Sequence, residues 1–74
     1  METNKYIFKT ERKKLNYLKI VIESYDGMAI VKTLDPYEAL IELSVAPECD
    51  QLVLELIGSL KVYEGIQLEQ VDHY

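Results

Sequence analysis

The sequence has few of the residues on which catalytic and metal sites usually depend. It contains one cysteine, Cys49, and one histidine, His73, which is next to the last residue. A single cysteine excludes an intramolecular disulfide, and the chain has no Cys-x-x-Cys pair, zinc-ligand spacing or phosphate-binding glycine loop. Because no histidine is placed to activate Cys49, we interpret this residue as a small packing residue. We therefore expect no enzyme, no cofactor and no metal.

Long apolar runs are also missing. No stretch approaches the roughly 20 apolar residues of a transmembrane helix, and the N-terminus lacks the apolar segment of a signal peptide. We expect a cytoplasmic protein without a membrane partner, and a single domain over residues 1–74. A domain of this size buries only about 60% of the surface of its unfolded chain, which favours association with a partner.

The charge is distributed unevenly. The net charge is -5, but residues 1–33 carry +3 and residues 34–74 carry -8. Since an acidic chain repels phosphate, we expect no nucleic-acid partner. Four bases cluster where the first strand meets the first helix, namely Lys9, Arg12, Lys13 and Lys14. This cluster is a candidate site for a small anion, and the alternative is an ordinary solvated surface.

The two halves of the chain repeat each other at an offset of 38 residues. Tyr25-Asp26-Gly27-Met28 matches Tyr63-Glu64-Gly65-Ile66, and the apolar positions of two amphipathic helices coincide. Each half reads as strand, helix and strand, with a glycine ending each helix. The pattern predicts strands at 5–10, 28–34, 39–45 and 66–71, and helices at about 11–26 and 47–62. In the first helix, Thr10 is the expected N-terminal cap.

This order of elements predicts an α+β fold, the ferredoxin-like βαββαβ sandwich. It has a four-stranded antiparallel sheet in the order 4-1-3-2, with two helices on one face. Pairing Leu34 with Ala39 across the hairpin places Ile30 opposite Leu43 on the helix-covered face. The other face then presents apolar groups together with an acid. The candidate interface residues on it are Tyr6, Phe8, Ala29, Val31, Leu40 and Glu42.

Two resemblances accompany this pattern. The stretch from Tyr25 to Asp35, followed by Ala39 to Pro47, resembles a family of short bacterial proteins known only as a domain of unknown function. More distantly, the architecture is similar to ACT domains, which pair through their sheets and bind small metabolites at the interface. The ACT loop after strand 1 is replaced here by Lys9-Thr10-Glu11-Arg12. No ligand-binding residue is implied by either resemblance.

These observations favour a non-enzymatic interaction or regulatory domain. We expect it to form a homodimer through the uncovered sheet face and strand 2, because exposed apolar patches and unpaired strand edges favour association. The partner is then a second copy or another protein. The alternative is an ACT-like sensor that binds a small anionic metabolite near Arg12, Lys13 and Lys14.

Overall fold

A computed structural model describes residues 4–25 and 28–71. Strand β1 (Asn4–Lys9) is followed by a 3-10 turn (Arg12–Lys14), helix α1 (Leu15–Glu23), strands β2 (Ala29–Asp35) and β3 (Leu40–Val45), helix α2 (Asp50–Tyr63) and strand β4 (Glu69–Val71). The strands form one antiparallel sheet in the order β2-β3-β1-β4, which is 4-1-3-2 read from the opposite edge. The expected α+β class, with two helices and a four-stranded antiparallel sheet, is confirmed. No helix in these residues is long and apolar enough to span a bilayer.

Both helices pack on the same face of the sheet. Helix α1 buries Leu18 and Ile22, whereas α2 buries Val53, Ile57 and Leu60. Their apolar positions follow the helical period, so each helix presents one continuous stripe to the strands. The central strand β3 contributes Ile41, Leu43 and Val45 to the same core cluster. Complete burial of each such side chain stabilises the fold by roughly 1.5–3 kcal/mol.

Strands β2 and β3 pair one residue out of the predicted register. Val31, not Ile30, lies opposite Leu43, and Ala29 lies opposite Val45. The hairpin explains the shift. Asp35 Oδ1 accepts hydrogen bonds from the Tyr37 and Glu38 N–H groups at 2.9 and 3.1 Å, and Asp35 itself pairs with Leu40 after a bulge. Because side chains alternate along a strand, a slip of one residue exchanges the two faces of β2.

The predicted interface therefore lies partly on the wrong face. Phe8 and Val31 are each only 4% exposed, Ala29 is buried, and the half-buried Tyr6 packs against the same core. Phe8 lies opposite Ile41, so β1 directs its largest apolar side chain towards the helices. Ile30, expected in the core, is 67% exposed.

The two remaining candidate residues, Leu40 and Glu42, alternate with the buried positions of β3 and are half-buried. They lie on the face away from the helices, where they were predicted. The inward face of β3 was predicted correctly. Buried and half-buried residues alternate strictly along this strand, and the turns on both sides allow only one of its two faces to point towards the helices.

Thr10 does not cap the first helix as predicted. Its Oγ1 donates to the Gln67 carbonyl oxygen at 2.5 Å, and the Glu11 carboxylate accepts the Gln67 N–H at 3.1 Å. These two side chains fasten the segment before β4 to the end of β1. The first turn after Glu11 is a 3-10 turn, so α1 begins only at Leu15.

The internal repeat holds through the helices but not through the strands that follow them. Met28 and Ile66 are both buried, whereas Leu68 is buried and its counterpart Ile30 is exposed. Gly65 has the positive φ, +66°, predicted for a helix exit. The matching prediction for Gly27 lies outside the described residues.

Two tyrosines near the ends of the helices, Tyr25 and Tyr63, and Gly58 in α2 lie outside the buried core. Tyr25 is 49% exposed and Tyr63 is 84% exposed. Gly58, within α2, does not mark a close approach of the two helices. A Cβ atom at Gly58 would meet nothing within 4 Å.

Candidate functional site on the sheet

The sheet face turned away from both helices is the first candidate site, and we call it the open face. Its apolar members are the strongly exposed Ile30 and the half-buried Ile7, Leu40 and Val71. Strand register assigns its full set of side chains as Lys5, Ile7, Lys9, Ile30, Lys32, Asp35, Leu40, Glu42, Ser44, Glu69 and Val71. The face therefore mixes apolar and charged groups, unlike the largely apolar surface predicted from the sequence.

Most charges on the open face are sorted by strand. The bases Lys5, Lys9 and Lys32 lie on β1 and β2, and the acids Glu42 and Glu69 lie on β3 and β4. The exception is Asp35, an acid at the end of β2 whose carboxylate accepts two N–H groups of the hairpin turn. Lys32 is opposite Glu42 and Lys9 is opposite Glu69, so no two like charges face each other across neighbouring strands. This sorting depends on the observed register, and sequence reasoning missed it.

The outer edge of the sheet is formed by β2. It pairs with β3 on one side only. Here the Val31 N–H donates to Glu23 Oε2 at 2.9 Å. Glu23 is the last residue of α1, so the helix layer supplies a carboxylate to the strand edge. No sequence signal identifies this contact, because it joins residues whose relative orientation only the packed fold sets.

The structure separates the four bases predicted as an anion site. Arg12 and Lys13 line one shallow surface groove with Pro36, whereas Lys9 belongs to the open face. Lys9 Nζ lies 3.6 Å from Glu38 Oε2, and Lys13 Nζ lies 3.7 Å from Glu11 Oε1.

Aromatic rings accompany the other two bases. The Arg12 guanidinium lies 5.6 Å from the centre of the Tyr37 ring, and Lys14 Nζ lies 5.5 Å from that of Tyr17. Contacts of this length are compatible with cation–π attraction. Each of the four bases thus already has a partner within the chain, and an anion would compete with these partners.

A hydrogen-bonded group that the sequence did not indicate joins β1 to the start of α2. The Tyr6 hydroxyl donates to Asp50 Oδ2 at 2.6 Å, and Asn4 Nδ2 donates to the same oxygen at 2.7 Å. The bond from Tyr6, followed by that from Asn4, lowers the pKa of the Asp50 carboxyl. The same hydrogen bond raises the pKa of the Tyr6 phenol. A phenol held in its neutral form beside a carboxylate is a structural tie rather than a proton donor or acceptor poised for chemistry.

A second tyrosine ties the opposite ends of the two helices. The Tyr17 hydroxyl on α1 donates to Glu64 Oε1, just after α2, and this bond raises the pKa of Tyr17. Both ties span more than 40 residues of sequence. They help to hold the helix layer in place over the sheet.

Two open grooves meet at Tyr25 and Met28. One, of about 380 Å³, runs beside β2 and includes Glu23; the other, of about 330 Å³, runs along α2 and includes Glu55. Both are mainly apolar, and the charged side chain in each is an acid. Neither groove has the positive charge that an anionic ligand requires.

Two observations on residues 4–25 and 28–71 concern metal ligands and the thiol. These residues contain no group of three or more His, Cys, Asp or Glu side chains arranged to hold a metal ion. Cys49 is a free, half-buried thiol that packs against the core, in agreement with its interpretation as a packing residue. His73 lies outside the described residues.

Comparison with known proteins identifies the family of this chain. No curated protein and no solved structure matches it. Residues 8–63 match the sequence profile of a family described as a domain of unknown function (DUF4911). The match extends from β1 to the end of α2 and thus includes the open face of three strands and the contact between Glu23 and β2. The chain belongs to the DUF4911 family of domains of unknown function.

Proposed function

We propose that this domain is a non-enzymatic interaction module that forms a homodimer through the open face of its sheet. The observation that carries the proposal is the sorting of most charges by strand, with Lys5, Lys9 and Lys32 on β1 and β2 and with Glu42 and Glu69 on β3 and β4. Asp35, at the end of β2, is engaged in the hairpin turn. A surface that must bind a second copy of itself needs complementary groups arranged about a two-fold axis. Five charges of the open face, Lys5, Lys9, Lys32, Glu42 and Glu69, suit such an axis.

The relevant axis runs parallel to the strands, between β3 and β1. It places β3 of each copy over β1 of the other, and β2 over β4. Glu42 and Ile7 are cross-strand partners and share one level of the sheet. Glu42 therefore lies over Ile7 of the second copy, between that copy's Lys5 and Lys9, which flank Ile7 two residues away on the same face.

The outer strands repeat this match at Lys32 but not at Asp35, which lies at the level of Glu69. Lys32 lies at the level of Val71, since both are in register with the same row of residues. Across the axis, Lys32 meets Val71 of the second copy and lies beside its Glu69. Electrostatic complementarity of this kind sets orientation and suppresses wrong partners more than it adds affinity. The exposed Ile30 and the half-buried Leu40 supply apolar area.

The size of the face limits the strength of the dimer. Three strands of six or seven residues and one of three residues cover at most about 20 Å by 20 Å. Two such faces therefore bury at most about 800 Å² in total. Stable specific interfaces bury at least roughly 1,200 Å². We therefore expect a weak dimer whose population depends on protein concentration.

Sedimentation velocity from about 10 µM to about 1 mM tests the proposal, because this range covers weak association. The wild type should move from monomer towards dimer. Glu42→Lys should shift the equilibrium to monomer, since it sets a third base between Lys5 and Lys9 of the second copy. The control Glu55→Lys makes the same charge change on the exposed surface of α2 and should sediment like the wild type.

A charge-swap mixture gives a sharper answer. Lys5→Glu leaves Lys9 and its contact with Glu38 intact. Mixed with Glu42→Lys, it should restore dimers, because the new lysine then faces the new glutamate. Circular dichroism confirms that each variant is folded. A wild type that stays monomeric, or a mixture that gains no dimer over its components, refutes the proposal.

We also propose that the protein is cytoplasmic. Its fold, we propose, is the ferredoxin-like βαββαβ sandwich. Support for the fold comes from the 4-1-3-2 order and from the packing of both helices on one face. Superposition of a future experimental structure on ferredoxin-like domains tests it.

Binding of a small anionic metabolite is the second candidate function. It rests on Arg12 and Lys13 sharing one groove. Thermal shift with phosphate and with di- and tricarboxylates tests it, and an increase in Tm that Arg12→Gln abolishes would support this function over the first.

A further inference from the structure

The outer edge of β2 has a backbone contact that the proposed open-face dimer does not use. In an antiparallel ladder, alternate residues direct their N–H and C=O groups towards the neighbouring strand. The Ala46 N–H donates to the Met28 carbonyl at 2.9 Å, which sets the phase of this alternation. Ala29 and Val31 then direct their backbone groups away from β3, towards the open edge.

At the centre of this edge, the Val31 N–H is already bonded. Glu23 Oε2 accepts it at 2.9 Å. An incoming strand would have to offer a carbonyl oxygen at the place now occupied by a carboxylate oxygen. Two acceptors cannot share that position, and the negative charge repels the carbonyl dipole.

Without Glu23, the edge would suit pairing with itself. An antiparallel pair of β2 strands centred on Val31 sets Ala29 opposite Thr33 and Ile30 opposite Lys32. No like charges oppose each other, and β-branched residues predominate, which favours strand pairing. The bulge between Thr33 and Asp35 limits the flat part of the edge to this stretch. A second copy's β2 is therefore the occupant that the edge fits.

We infer that Glu23 is a gate on the β2 edge, whose carboxylate holds the Val31 N–H and so prevents a second copy from adding its own β2 to the sheet. Natural sheets protect exposed edges with charged side chains for the same purpose. This inference assigns association to the open face rather than to strand 2. It does not depend on the open-face dimer, because it concerns the change in association when Glu23 is removed.

Three variants test the gate by sedimentation velocity over the same concentration range. Glu23→Ala should form assemblies with twice as many chains as those of the wild type, whether the wild type is monomeric or dimeric. Glu23→Gln retains a side-chain acceptor and should match the wild type. Glu55→Ala removes the same charge from α2 and should also match it. If Glu23→Ala sediments as the wild type does, or if Glu23→Gln associates as strongly as Glu23→Ala, the inference is wrong.

Amide exchange at Val31 supplies a local readout by NMR. In dilute Glu23→Ala the Val31 N–H should exchange at least about tenfold faster than in the wild type, because a hydrogen bond to a charged acceptor is lost. At high concentration the same amide should become protected again, since strand pairing covers it. Equal exchange of Val31 in wild type and dilute Glu23→Ala would overturn the inference even if assembly changed.

Discussion

Ile30 and Val31 are neighbours in β2, and a pair of alanine substitutions at these positions tests the register on which the open face depends. Val31 is 4% exposed and lies opposite the fully buried Leu43, whereas Ile30 is 67% exposed. Removing two buried carbon atoms from Val31 loses about 1.6 kcal/mol of transfer free energy, and the cavity left behind adds to it. We expect Val31→Ala to lower the free energy of unfolding by about 2 kcal/mol.

Ile30→Ala removes a larger side chain but should cost less. About a third of Ile30 is buried, so its loss amounts to less than about 1 kcal/mol. Both substitutions reduce strand propensity in the same direction, and the difference between them therefore reports burial. For a domain of this size each kcal/mol corresponds to about 4–8 °C, so Val31→Ala should lower Tm by about 8–16 °C.

Urea denaturation of dilute protein measures both variants without a contribution from the proposed dimer. The register predicted from the sequence requires the opposite order, since it places Ile30 opposite Leu43 in the core. An Ile30→Ala variant less stable than Val31→Ala would refute the face assignment, and with it the charge pattern on which the dimer rests.

Two further predictions concern Gly58 within α2 and the hydrogen bond between Tyr6 and Asp50 at its start. Gly58→Ala should raise the free energy of unfolding by up to about 1 kcal/mol, measured by urea denaturation, because alanine is the better helix former and its Cβ meets nothing within 4 Å. A loss of stability would contradict this reasoning. Tyr6→Phe should destabilise the protein at pH 7, because it removes a hydrogen bond to the Asp50 carboxylate. The folded-state pKa of Asp50 is lowered, so this contribution is present above the unfolded pKa of about 3.9 and is lost as the pH falls through the folded value. Denaturation of wild type and Tyr6→Phe at pH 7 and at low pH should therefore give a stability gap that narrows on acidification, and a gap that widens would contradict the assignment.

Periodicity in the sequence determined much of the architecture. The apolar stripes of α1 and α2 fall at helical spacing, and Ile41, Leu43 and Val45 alternate strictly along β3. These patterns follow from the side-chain periods of helices and strands, which are the same in every packed environment. They were enough to predict the order of elements, the fold class and the inward face of the central strand β3.

The faces of β1 and β2 were decided by the tertiary structure. Both strands have apolar residues at consecutive positions, as in Tyr6, Ile7 and Phe8, so alternation alone allows either face to point inward. In β2 the choice came from the hairpin, where Asp35 caps two backbone N–H groups and moves the pairing by one residue. Such a slip leaves every element in place and still exchanges core and surface.

The candidate sites also depend on the tertiary structure. The charge pattern of the open face exists only in the observed register, and the Glu23 contact requires α1 to end beside the edge of β2. Composition and spacing determine which elements form, because secondary structure responds to neighbours a few residues away. Which side chains share a surface depends on hydrogen bonds and packing between segments distant in the sequence, and these are set only when the sheet and helices assemble.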